Sequence, residues 1–348
     1  MASSATGRLT TDSSLEHVKG YDVIGDIHGC SVALERLLSE LGYSRVDGVY
    51  CHPERKAVFV GDIIDRGPHI REAAWLVHDM VEAGHAFISM GNHEYNAIAY
   101  MTPSPEGSGH EYLREHNHRH TRIMRETLDQ FADYQDEWQY LINWFLTIPV
   151  FLELPGFRVV HACWDEALID EFKARRNTNQ IDMDFLVKSS DLDSFEFDVM
   201  DRLLRGTNLK LPDGMSIEGK DGYVREFFRT MFWSDQPDVY QDIVFQPDPL
   251  PPEIAAKRLS DSDRAKLLNY PEDRPPLFFG HYWRMGKPEC IKPNLACLDY
   301  SAVKYGKLVA YRFDGEKELS DDKFVFIEVT PEEFPKPDSQ GLEDLSKV

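Results

Sequence analysis

An α/β fold built on a parallel sheet is predicted for this chain of 348 residues by three observations. Short apolar runs alternate with segments of helical periodicity through the first ninety or so residues. The runs Tyr21 to Ile24, Ala57 to Val60 and Ala86 to Met90 are each followed by a glycine, which lets the chain turn sharply. Each glycine opens a block rich in polar groups: Gly25-Asp26-Ile27-His28-Gly29, Gly61-Asp62-Ile63-Ile64-Asp65-Arg66-Gly67 and Gly91-Asn92-His93-Glu94. Parallel strands joined by helices present their carboxyl ends along one sheet edge, where ligands bind. Side chains far apart in sequence are therefore expected to gather at one place.

Met1 to Glu16 is rich in Ser and Thr without an apolar stretch, so residues 1–18 are expected to be disordered, and they resemble neither a signal peptide nor an anchor. Residues 31–42 set Val32, Leu34, Leu37, Leu38 and Leu41 on one helical face, with Ser31 able to cap its start. Residues 70–83 repeat the pattern through Ile70, Ala74, Val77 and Val81, with Gly84 as a stop. A third helix is expected to begin near Glu94. Residues 103–110 form a Pro/Gly/Ser loop, and a helical stretch then runs to about Leu146. Leu154-Pro155-Gly156 reads as the turn of a hairpin that delivers His161 at the end of its second strand.

Residues 166–275 are more polar and irregular, with turn signals at Asp213-Gly214 and Asp221-Gly222. They read, like 103–122, as elaborations of one domain spanning 19–330. Strand-like runs return at Leu277 to Phe279, Leu295 to Asp299, Lys307 to Phe313 and Phe324 to Val329, which predicts a second sheet, mixed or antiparallel. Residues 331–348 read as a loose polar tail, and no internal repeat is seen.

The formal net charge is -22, and no Lys/Arg stripe of the kind that grips a duplex is present, so long nucleic acid is excluded as a partner. A small phosphorylated molecule or a phosphoprotein fits, given a few Arg and metal charges focused in a cleft. The five cysteines have no paired close spacing, which points to a reducing cytoplasm. No run of 18 apolar residues occurs, so no membrane span is expected.

Asp26, His28 and Asp62 offer two carboxylates and an imidazole; Asn92, His161 and His281 add an amide oxygen and two imidazoles. This mixed O/N set, with one bridging carboxylate, suits two divalent ions, manganese first, with iron or zinc as alternatives. Hydroxide held between ions ~3.5–4 Å apart is an active nucleophile at neutral pH. Arg66 carries a planar donor fork that can grip two phosphate oxygens. His93 follows Asn92 directly and could protonate a leaving oxygen, held by a carboxylate such as Asp65. His110, His116, His118 and His120 lie beside the 103–110 loop and read as a solvated or substrate-facing rim rather than a third metal site.

The order GDxHG, GDxxDRG, GNHE, then His161, then Gly280-His281 resembles the phosphoprotein phosphatase family of metallophosphoesterases, whose bacterial members include diadenosine tetraphosphate hydrolases. The resemblance covers roughly residues 20–315. Phe232-Trp233-Ser234-Asp235, Leu298-Asp299 and Gly306-Lys307-Leu308 extend it. It implies a calcineurin-like αββα sandwich with a dinuclear site between two sheets. By position, Asp26, His28 and Asp62 would hold one ion, and Asp62, Asn92, His161 and His281 the other. Arg66 would bind phosphate, and His93 would be a general acid paired to Asp65. A second phosphate-binding Arg is implied before the last block. Arg225, Arg229, Arg258, Arg264 and Arg274 are candidates, and Arg229, just ahead of Trp233, is preferred. The chain departs from the family at Ala162-Cys163-Trp164-Asp165, where Gly-Gly or Ala-Gly is usual. There the Trp164 ring could line the cleft and stack on a tyrosine ring or nucleobase, core packing being the alternative.

The first reading of function is a metal-dependent phosphomonoesterase, protein phosphatase-like, with water as nucleophile. Hydrolysis of dinucleoside polyphosphates is the second, and a metal-poor scaffold that docks proteins is the third.

Overall fold

A computed structural model describes residues 18–218, 224–245 and 250–332. The stretches read as a disordered start and a loose tail lie almost wholly outside the described residues, as does Asp221-Gly222.

Strand β1 (Gly20–Ile24) leads into α1 (Ser31–Glu40), a small hairpin of β2 (Ser44–Val46) and β3 (Val49–Cys51), and then β4 (Arg55–Phe59). Helix α2 (Ile70–Glu82) and β5 (Ala86–Ile88) follow, and β1, β4 and β5 run parallel as the repeated strand–loop–helix pattern predicts. Ser31 does not cap α1; it is already the first helical residue, and Cys30 precedes it without a side-chain cap. The tight turn closed by the Cys30 N–H on the Ile27 carbonyl (3.0 Å) carries the chain into the helix one residue early.

Helix α3 (Asn92–Met101) starts at the third polar block itself and is buried along nearly its whole length. The helical stretch expected up to Leu146 is two helices, α4 (His118–Gln130) and α5 (Gln135–Phe145). Strands β6 (Phe151–Leu154) and β7 (Phe157–Val160) form the expected hairpin. The next segment is less irregular than its composition implied: it folds as α6 (Glu166–Arg176), α7 (Met183–Lys188) and α8 (Phe195–Arg205). Each begins at a side-chain cap, Asp165, Asp182 and Ser194, which accept from the N–H groups of Leu168, Phe185 and Phe197.

Beyond them, β8 (Thr207–Lys210) pairs with β11 (Phe227–Thr230), and β9 (Ile217–Glu218) with β10 (Val224–Arg225). This part has an apolar cluster of its own, including Leu209, Leu211, Phe228, Tyr240, Ile243 and Ile254. The chain then returns through β12 (Leu277–Phe279), β13 (Leu295–Cys297), β14 (Asp299–Tyr300), β15 (Lys307–Phe313) and β16 (Phe324–Glu328).

Two mixed sheets result, one ordered β14-β15-β1-β4-β5 with β16 also on β15, the other β13-β12-β7-β6. The late strands thus do not make a second sheet by themselves. β12 and β13 join the β6–β7 hairpin, while β15 lies antiparallel beside β1 with Phe313 opposite Tyr21. Strand alternation explains the layering. Tyr21, Val23, Val58, Val60, Val309 and Tyr311 of the first sheet meet Leu152, Phe157, Val159 and Phe278 of the second in one cluster. Their neighbours Ala57, Phe59, Val160, Leu277 and Phe279 turn outward to pack with the helices. This is the αββα sandwich. All five cysteines are free thiols, and among the described residues no helix is long and apolar enough to cross a membrane.

Candidate metal centre

Asp26 and His28 follow β1, Asp62 follows β4, and Asn92 opens α3 after β5; His161 and His281 follow β7 and β12 of the other sheet. Ligand loops from both sheets therefore meet at one edge of the sandwich. The motif glycines permit this approach. Gly61 has φ +100, and a Cβ there would stand 2.5 Å from the Gly91 nitrogen, so the loops after β4 and β5 touch backbone to backbone. A Cβ on Gly280 would fall 1.9 Å from Asp26 Oδ1, which closes the contact between sheets. His28, Asp62, Asp65, Arg66 and His281 have φ between 45 and 69, left-handed values that side-chain-bearing residues rarely adopt. Backbone strain of this kind concentrates where a fold must aim functional groups.

Asp62 Oδ2 lies 3.6 Å from His28 Nε2 and 3.3 Å from His161 Nε2. The donor atoms of Asp62, His161 and His281 all lie within 4.8 Å of one another. Asn92 Oδ1 is 3.2 Å from His161 Nε2. Nδ1–H of His28 donates to the Ile64 carbonyl and Nδ1–H of His161 to the Val60 carbonyl, both at 2.9 Å, so each presents Nε2 to the centre. The His281 backbone N–H donates to Asp26 Oδ2 at 3.1 Å.

Whether these residues suit a pair of cations can be tested on the polar atoms themselves. Asp26 Oδ1 and His281 Nε2 are buried without a hydrogen-bond partner, a state that costs free energy unless something coordinates them. Electrostatics agree. Burial, with Asp299 and Asp62 nearby, raises the Asp26 carboxyl well above its usual range. Burial and the charge of Arg66 hold the His28 imidazole well below its ordinary value, and burial with Arg229 does the same to His281. His161 is pushed up to about 10, since Asp62 and Asp26 outweigh its burial. A buried set of carboxylates, imidazoles and an amide oxygen, with two atoms orphaned, fits two divalent ions with Asp62 between them.

The backbone N–H of His93 donates to Asp62 Oδ1 at 2.9 Å, its Nδ1 lies 2.5 Å from Asp65 Oδ2, and its Nε2 lies 3.9 Å from Asp62 Oδ2, on the centre's side. Burial pulls this imidazole down to about 3 and pushes the Asp65 carboxyl up to about 7. Thr127 of α4 donates to Asp65 Oδ1 and accepts from the Asp65 N–H at 3.1 Å. Arg66 stands at the mouth, with its guanidinium 3.4 Å from His28 Nε2.

A cleft of about 610 Å³ opens over the centre, and Arg66, Arg229 and Arg225 line it. Arg258, Arg264 and Arg274 do not; the first two lie 3.7 and 3.6 Å from Asp238 instead. Trp164 is a correction to the sequence reading. It lies outside the cleft and is 4% exposed, edge-on to Phe151 at 5.7 Å between ring centres, with the Arg158 guanidinium 4.6 Å from its own. Ala162 and Cys163 are fully buried, and the Ala162 N–H donates to the Leu203 carbonyl, so the chain after His161 turns into the core beside α8.

Of the four histidines near the 103–110 loop, His118 lines the cleft. His116 stacks against Tyr100 and Tyr112 at 3.7 and 3.9 Å between ring centres. None of the four belongs to a cluster able to hold a metal among the described residues.

Several contributors escaped sequence reasoning. Glu94, fully buried, accepts from the N–H groups of Asp62 (2.9 Å), Ile63 (2.9 Å) and Gly91 (3.0 Å), which ties two ligand loops together. Its place three residues into α3 was the available signal. Arg119, Arg122, Arg205, Phe227 and Lys304 also line the cleft without any local pattern to mark them, as does Asp299, of the Leu298-Asp299 pair that extends the resemblance.

Two sheets that bring buried carboxylates and imidazoles together beside a guanidinium fork make a centre suited to phosphate esters. The chain belongs to the calcineurin-like phosphoesterase family, whose model matches residues 21–281. It is 45% identical over 82 residues to an asymmetrical bis(5′-nucleosyl)-tetraphosphatase of Halalkalibacterium halodurans, covering 23% of this chain and 33% of that one. With the protein of the same name from Oceanobacillus iheyensis it shares 32% over 160 residues, 45% of this chain and 61% of that one. The chain thus spans between a third and three-fifths of these curated relatives. A serine/threonine phosphatase structure from Saccharomyces cerevisiae, with similarity to human phosphatase PP5, aligns at TM-score 0.46 and 16% identity, over 91% of this chain and 81% of that one.

Proposed function

We propose that this chain is a metal-dependent hydrolase of dinucleoside polyphosphates. The observation that carries this reading is the charge of the cleft. In a protein of net charge -22, Arg66, Arg119, Arg122, Arg205, Arg225, Arg229 and Lys304 crowd one concavity. Arg229 senses the charges of Arg66 and Arg225. Around Arg114, the charges of Arg205 and Arg119 are felt together, and the latter two line the cleft. More cations line the cleft than one phosphate monoester can pair with, and a chain of several phosphates can engage them together. The relatives named as tetraphosphatases support the same choice, which reverses the order of the first two readings drawn from sequence.

In this reaction water adds across one P–O–P bond: the attacked phosphorus gains a hydroxyl, and the other phosphate leaves as part of a nucleotide. Asp26, His28, Asp62, Asn92, His161 and His281 would hold the two divalent ions, with manganese the first choice. Once bound, these ions supply water ionised near neutral pH and neutralise phosphate oxygens. Arg66 and Arg229 grip the phosphate being attacked. His93 Nε2 donates a proton to the leaving oxygen, while Asp65, seated on Thr127, keeps Nδ1 engaged and the ring oriented. Anionic phosphate beside His93 raises the proton affinity that burial depresses.

The test is a parallel assay of the manganese-loaded protein on diadenosine tetraphosphate and a panel of phosphopeptides. We expect kcat/KM to favour the dinucleotide by about a hundredfold, the worth of two extra charge-assisted contacts. A preference for phosphopeptides would overturn the proposal.

A further inference from the structure

We propose that Phe227 is a stacking subsite for a nucleobase of the substrate, so that the β8–β11 pair reads the nucleoside while the metal centre reads phosphate. The proposal rests on the reading above, that the substrate carries nucleotides.

Phe227 is 53% exposed, unusual for a phenylalanine in a folded chain, and it lines the cleft. Alternation along β11 accounts for its direction. Phe228 and Thr230 are buried, at 2% and 1% exposure, whereas Phe227 and Arg229 take the opposite face. Phe228 belongs to the separate apolar cluster, which anchors the strand from behind. The strand that presents the ring is therefore anchored. Arg229 and His281 line the same cleft, and the Arg229 guanidinium stands 5.6 Å from the ring centre of Tyr282, the next residue along. Two residues from Arg229 along the strand, about 6.7 Å, stands Phe227. That separation suits a phosphate on the arginine and a base, one ribose away, on the ring. Arg225 follows on the same cleft wall.

Trp283, like Phe245 a further ring lining the cleft, is already engaged. Phe245 packs at 6.1 Å between ring centres and the Lys304 ammonium stands 5.8 Å from its centre. Phe227 has a lighter contact, the ammonium of its cross-strand partner Lys210 at 5.9 Å. Stacking of this kind accepts any base, since every base has a π face.

The experiment compares two non-hydrolysable ligands that differ by a nucleoside, α,β-methylene-ADP and methylenediphosphonate, by titration calorimetry on metal-loaded protein. The wild type is expected to bind the nucleotide more tightly. Phe227→Ala should shrink that advantage by about tenfold or more and leave methylenediphosphonate affinity in place, while Phe227→Trp should keep the advantage and controls for folding. Equal binding of both ligands by the wild type, or a Phe227→Ala effect that is absent or the same for both, overturns the subsite even if diadenosine tetraphosphate is hydrolysed. Conversely, a nucleoside advantage that depends on Phe227 stands even if that dinucleotide is not turned over, and then only the functional reading falls.

Discussion

Asp62 faces imidazoles on two sides, from His28 and from His161, and this sets the first expectation at the residue scale. Asp62→Asn should lower bound metal at both positions and cut kcat by at least about a hundredfold; elemental analysis showing two full equivalents would refute the shared-ligand role. His93→Ala should behave differently, with metal content kept and kcat down by about a hundred- to ten-thousandfold. The loss should be smallest for nitrophenyl phosphate, whose leaving oxygen needs little protonation. The six proposed ligands and the His93–Asp65 pair were legible because each follows a short apolar run or a motif neighbour, so backbone direction alone places it. The direction of Trp164 was not, because it depends on what Cys163 and Ala162 pack against, and that is set by α8, some forty residues away.

At the scale of elements, α3 does more than carry Asn92. Through Glu94 it gathers N–H groups from the loops after β4 and β5. Glu94→Ala would leave these donors buried and unpaired, at about 1–3 kcal/mol each. We therefore expect a marked fall in Tm, measured by calorimetry, together with weaker metal binding; Glu94→Gln should be milder, since its amide oxygen still accepts. A Tm unchanged by the alanine variant would show that water takes the place of the carboxylate. The strands and first two helices could be read from periodicity, which acts over a few residues. Helices α6 to α8 fall in the stretch whose composition reads as polar and irregular, although Asp165, Asp182 and Ser194 are good helix starts. The partition of late strands between two sheets was hidden for another reason: pairing of β15 with β1 links positions nearly three hundred residues apart.

For the molecule as a whole, the acidic composition concealed the basic cleft. Arg66, Arg119, Arg122, Arg205, Arg225, Arg229 and Lys304 are scattered in sequence and meet only on folding. The same convergence makes metal loading a matter of stability and of pH. One site at a hundredfold excess of ion over its Kd adds about 2.7 kcal/mol, which is several degrees in Tm for a chain of this size. Without metal, His161 is raised to about 10 and Asp26 is also raised. The stability from protonated His161 is full below its unfolded value and fades as pH rises toward 10. Asp26 likewise favours the metal-free fold only while it keeps its proton. Ions must displace both protons, so the gap in Tm between loaded and chelator-treated protein should widen from pH 6 to pH 9. Calorimetry at several pH values measures this, and a gap that narrows with pH would exclude ligation by His161.

The β8–β11 pair has an apolar cluster separate from the sandwich, yet it is tied to the metal centre through Tyr282, whose hydroxyl accepts from the Thr207 N–H at 3.0 Å and donates to the Thr230 carbonyl at 3.2 Å. A relative's stretch grafted in its place would therefore have to keep Thr207, Thr230 and Arg229 if its selectivity is to change while the histidine beside Tyr282 stays where it is.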